Sequence, residues 1–133
     1  MKCVLDASMA LSFVLADEFT VDSQRALATI AVDGALVPAL WEFEVLNGLR
    51  SAERRGRISE AAMTNALHGL AGLRIETHRQ SLDRPQILSL ANKFNLSVYD
   101  ASYAWVAMET NLPLATLDSR LGKAAAAAGI ALV

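Results

Sequence analysis

The chain has 133 residues, the length of one ordinary domain, with 53% hydrophobic and 20% charged residues, a globular composition that excludes a disordered protein. No apolar run approaches the roughly 20 residues of a membrane-spanning helix, and Lys2 is the only basic residue ahead of Val4 and Leu5; no membrane insertion or secretory leader is expected, and the expected location is cytoplasmic. The formal net charge of −2 leaves no broad basic surface for nucleic acid, unless several acids cluster around cations and leave the remainder slightly basic.

Lys2-Cys-Val-Leu5 is a short apolar run ending at Asp6, predicted as a buried strand that places the lone Cys3 in the core; a helix is expected over Met9 to Ala16. Thr20 is a predicted N-cap for a helix over Val21 to Val32, which Asp33-Gly34 closes before a second strand, Ala35 to Val37. From Ala39 to Arg55, Trp41, Val45, Leu49 and Ala52 follow the spacing of a helix with one buried face. Glu44, Asn47, Ser51 and Arg54 draw a second, polar line along the same helix.

Ser59 with Glu60 opens the next helix and Gly72 stops it; Leu73 to Ile75 is predicted as a short strand, and Arg84 to Phe94 as a helix turning at Asn95. Leu96-Ser-Val98 leads to Asp100 and a helix ending near Asn111. Pro113 to Thr116 is a predicted strand, Arg120 to Ala128 a helix capped by Gly129, and Ile130 to Val133 a last strand. Short apolar strands separated by helices imply an α/β fold in three layers, a short, mostly parallel central sheet flanked by helices. With no repeat or linker, residues 1–133 read as a single domain.

Acids embedded in apolar sequence need a reason, because burying an unpaired carboxylate is costly. Asp6, Glu44, Asp100 and Asp118 are four such acids. Taken singly, Asp6 and Asp118 suit helix caps, Asp100 a first-turn acid and Glu44 a solvated helix residue. Their joint occurrence near strand ends points instead to one shared site, since ligands of open parallel sheets collect at the carboxyl ends of the strands. Mg²⁺ and Mn²⁺ prefer carboxylate and water oxygens, and no Cys or His cluster suits zinc.

Val4-Leu-Asp6-Ala-Ser8, Pro38 through Glu44-Val-Leu-Asn47-Gly-Leu49, Tyr99-Asp100-Ala-Ser-Tyr103-Ala104 and Ala115-Thr116-Leu-Asp118-Ser-Arg-Leu121 resemble the ordered motifs of PIN-domain nucleases, most closely the VapC-type toxins of toxin-antitoxin pairs. The resemblance covers essentially the whole chain. It implies a PIN-like fold and a Mg²⁺-dependent endoribonuclease, with Mn²⁺ as an alternative ion and Asp6, Glu44, Asp100 and Asp118 as the catalytic, metal-binding acids. It also implies a homodimer held inactive by an antitoxin with a basic C-terminal segment.

Within that reading Asp6 is the expected central ligand, and Glu44 orients the attacking water or holds a second ion. Ser8 and Thr116 support the acids from an outer shell or act as local caps. Asn47, Arg50 and Arg54 are candidate RNA-binding residues, with Arg55 and Arg57 adding to the basic concentration and Arg120 and Lys123 forming a weaker one. Tyr99 and Tyr103 either stack on bases or pack beneath the site. Trp41 and Trp105 belong to the core or an interface, and His68 and His78 have no assigned role. Two other readings compete: a PIN-like domain that binds RNA or a partner without cutting, and a haloacid-dehalogenase-type phosphatase. The phosphatase is disfavoured by Ala7-Ser8 where its second Asp would stand.

Overall fold

The computed structural model describes residues 1–133. Four strands form one parallel sheet in the order β3-β2-β1-β4. β1 (Cys3–Leu5) is central and its three side chains are fully buried, so every residue of the run is apolar. It pairs with β2 (Ala35–Val37) on one side and with β4 (Leu114–Ala115) on the other; β3 (Ile75–Thr77) extends the sheet beyond β2.

Seven helices flank the sheet. α1 (Ala7–Val14) follows β1 directly, and a 3-10 turn, Ala16–Glu18, leads to α2 (Val21–Asp33). The turn was not expected, and it ends α1 two residues early. Thr20 and Ser23 cap α2 reciprocally in a capping box. Gly34 ends α2 at φ +82°, where a side chain would also press on the Arg74 carbonyl. α3 (Leu40–Arg54) buries Trp41, Val45, Leu49 and Ala52 as its spacing predicts. α4 (Glu60–Ala71), α5 (Arg84–Phe94), α6 (Val98–Thr110) and α7 (Ser119–Ala127) complete the set.

Three sequence expectations need correction. β3 lies two residues later than Leu73–Ile75, because Leu73 packs against the core from the turn after α4 rather than from a strand. α6 begins at Val98, since the Ser97 hydroxyl accepts from the Asp100 N–H and caps the helix before Asp100 is reached. The expected last strand, Ile130 to Val133, contributes only a bridge between Leu132 and Leu114.

The chain lays β1, β2 and β3 outward to one side and then returns to place β4 against the opposite edge of β1. The reversal of strand order therefore falls between β1 and β4, where parallel sheets form their ligand crevice. Because all strands run the same way, Asp6, Pro38, His78 and Thr116 leave them at one common edge.

Candidate active site

Asp6 is the first residue beyond β1, only 5% exposed. It stands at the N-cap of α1 but makes no side-chain cap hydrogen bond, so capping does not account for it. Its Oδ2 instead accepts from the Ser8 and Thr116 hydroxyls, both at 2.6 Å. Each hydroxyl accepts in turn from a backbone N–H: Ser8 from Leu117 at 3.1 Å, Thr116 from Asp118 at 3.0 Å. Those two amides fix the direction in which the hydroxyls donate, and Oδ1 is left without a side-chain hydrogen-bond donor.

Glu44 approaches from α3, half-buried, and its Oε1 accepts from the Tyr103 phenol at 2.6 Å. Tyr103 is fully buried on α6, one turn past Asp100, and so holds one acid while its own helix presents another. It packs beneath the site and is closed to base stacking; Tyr99 is exposed. Asp100 is half-buried in the first turn of α6. Asp118 is exposed at the start of α7, where its Oδ1 accepts from the Leu121 N–H at 2.8 Å, so it does cap that helix.

Electrostatics tie the acids together. Burial is the main force raising the pKa of Asp6, opposed by the two hydroxyls and the Ala7 amide, while the charge of Asp118 raises it further. Burial likewise raises Glu44, against the Tyr103 hydrogen bond and with the charges of Asp6 and Asp100 adding to it. Asp100 is raised by burial, then by Asp118 and Asp6, with Ser97 and Arg120 opposing. Burial beside Glu44 pushes the Tyr103 phenol far above its ordinary value, so it remains a donor.

Asn47, Arg50 and Arg54 lie on the exposed face of α3 and, with Ser51 and Arg55, line a polar cavity of about 410 Å³ with no apolar wall. Arg57 does not join them, because it is bound to Asp17 and Glu18 at 2.7 to 2.9 Å. Glu42, two residues before Glu44, borders an apolar groove between α3 and α4 instead of the acids. Sequence reasoning left Tyr103 without a partner; its i+3 spacing from Asp100 was the available signal.

The PIN domain family model matches residues 3–127. The chain belongs to the PIN domain family. This PIN domain is 33% identical over 123 residues to the VapC ribonuclease Mb0985 of Mycobacterium bovis, covering 89% of this chain and 87% of that one. It is 30% identical over 127 residues to ribonuclease VapC3 of Pyrobaculum aerophilum, covering 92% and 94%. The crystal structure of PAE2754 from Pyrobaculum aerophilum superposes with a TM-score of 0.67 at 27% identity, covering 93% of the PIN domain and 86% of that chain.

Proposed function

We propose that this PIN domain is a divalent-metal-dependent endoribonuclease, the toxin of a toxin-antitoxin pair, with Asp6, Glu44, Asp100 and Asp118 as its catalytic acids. The observation that carries this reading is the treatment of Asp6. A nearly buried carboxylate has one oxygen gripped by two hydroxyls and the other free of them, at the strand-order reversal and within the field of three further acids. A purely structural aspartate has no use for acidic neighbours that raise its free energy.

The donor set fits a hard cation, being all oxygen and rich in negative charge. No three of the acids stand close enough to cage one ion. An ion here would be held by one or two carboxylates together with waters, the mode Mg²⁺ commonly takes. Asp6, Asp100 and Asp118 would hold such an ion, directly or through its waters. When bound, the ion supplies Lewis acidity that favours ionisation of water and neutralises charge developing on the phosphate. Glu44, steadied by Tyr103, orients the attacking water, and Ser8 and Thr116 keep the Asp6 carboxylate from rotating.

Asn47, Arg50 and Arg54, joined by Ser51 and Arg55, receive the RNA backbone downstream of Glu44 along α3. Phe43, Leu46 and Leu67, exposed beside the apolar α3–α4 groove, give a homodimer partner or an antitoxin an apolar surface to cover. The basic C-terminal segment of such an antitoxin would meet the acids. Purified protein is expected to cleave structured RNA with Mg²⁺ and to lose this in EDTA and in Asp6→Asn. Cleavage that persists in EDTA overturns the mechanism.

A further inference from the structure

Beside the acids, at the carboxyl ends of β2 and β3, a cavity of about 360 Å³ is bounded by Pro38, Leu40, His78, Trp105 and Val106. It shares its two helices with the Glu44–Tyr103 hydrogen bond. Leu40 precedes Glu44 by four residues on α3, and Val106 follows Tyr103 by three on α6. Residues so spaced sit on one helix face with Cβ atoms about 5–6 Å apart, which places the cavity a single turn from the Glu44–Tyr103 pair. The sheet gives the same answer independently. Pro38 leaves the strand next to the one Asp6 leaves, and adjacent strands lie about 4.8 Å apart.

We propose that this cavity receives a nucleobase of the RNA substrate, from a nucleotide next to the scissile phosphate, and so confers base preference on the cut. The inference rests on the ribonuclease reading. The chamber is walled mostly by apolar side chains, with a few polar groups that can read the edge of a base. Gln80 and Arg79 are exposed at the rim. His78 meets the Trp105 ring edge-on at 5.3 Å, and its enclosed Nε2 has no hydrogen-bond partner in the protein. An atom enclosed this tightly is beyond the reach of a ligand, so the edge of a base would be read by the exposed Gln80 and Arg79, while His78 belongs to the wall. Trp105 is already committed through Nε1 to Gln86 at 3.0 Å, so it serves as a fixed wall. The distance of one helical turn matches a base splayed out from the phosphate under attack, as single-stranded RNA is commonly read.

The test has two arms, both on the full chain. A randomised RNA pool is cleaved with Mg²⁺ and the new ends are sequenced. The unmodified protein should favour one base beside the cut, and Gln80→Ala or Leu82→Trp, both at the exposed rim, should flatten that preference about ten-fold, read as the ratio of cuts beside the favoured base to cuts beside the others. In the second arm, labelled oligoribonucleotides differing at one base are titrated onto Asp6→Asn with and without the same two changes, where discrimination should fall in parallel. Cleavage with no base preference, or with one that neither rim substitution alters, overturns the subsite and leaves the ribonuclease intact. Base-selective binding that depends on Gln80 and Leu82, without cleavage by the unmodified protein, keeps the subsite and overturns the ribonuclease. A change of oligomeric state in Leu82→Trp with base preference unchanged assigns the cavity to a second copy of the chain and overturns the proposal. Absence of both binding and cleavage ends both readings.

Discussion

Thr116 uses one hydroxyl twice, donating to Asp6 and accepting from the Asp118 amide. Thr116→Val keeps the shape and removes both bonds, and is expected to lower activity about 10- to 100-fold, the usual effect of removing an outer-shell partner. Thr116→Ser should restore most of it, a result that assay of RNA cleavage alongside thermal melting will check. On α3, Glu44→Gln should remove most activity and Glu42→Gln almost none, because Glu42 faces the apolar groove. Equal loss in the two variants would contradict the helix register. At this scale the acids are legible from sequence, since a charge inside an apolar run needs a cause. The place of Tyr103 beneath the site is legible as well, but its bond to Glu44 is not, because a tyrosine among alanines in a buried helix looks the same whether its phenol is idle or bound.

At the scale of elements, the approach of α1 to α3 determines how near Glu44 comes to Asp6. Gly48 permits that approach: a Cβ there would collide with the Leu11 side chain of α1. Gly48→Leu is expected to destabilise the fold by about 1–3 kcal/mol through overpacking and to reduce cleavage further than stability alone explains. Gly48→Ala should cost less than Gly48→Leu, because better helix propensity partly offsets the movement of the Leu11 side chain that its Cβ demands. Denaturant unfolding paired with RNA cleavage separates the two effects. Helix bounds follow closely from caps and periodicity, as Thr20 and Asn95 illustrate. Strands of two or three residues carry too little alternation to fix their register. β3 was misplaced because Leu73 is apolar for packing reasons, and the final residues contribute one bridge despite their strand-like composition.

Across the whole molecule, the acids impose a pH dependence whose sign can be stated. Asp6, Glu44 and Asp100 have raised pKa values in the fold, so between the ordinary carboxylate range, about 4, and those raised values the native state binds more protons than the unfolded chain. Their contribution is therefore most favourable below that range and is lost as pH rises through it. In EDTA, thermal melts should show stability declining as pH rises from the ordinary carboxylate range, about 4, through the raised values, with Asp6→Asn reducing the decline. Mg²⁺ should raise the midpoint more at the higher pH, where the carboxylates are ionised to receive it. The overall architecture is the most legible level, because alternation of apolar strands with amphipathic helices admits few arrangements. The order β3-β2-β1-β4 and the cavity at the ends of β2 and β3 depend on pairings between distant segments, which composition does not encode.

The bond from Thr116 to Asp6 joins positions 110 residues apart. A ribosome must therefore release the chain through Thr116 before the carboxylate can be locked in place. Through most of its synthesis the nascent protein would carry Asp6 and Glu44 without the brace and without Asp100 and Asp118, so that the site is completed only when the closing strand slots into the sheet.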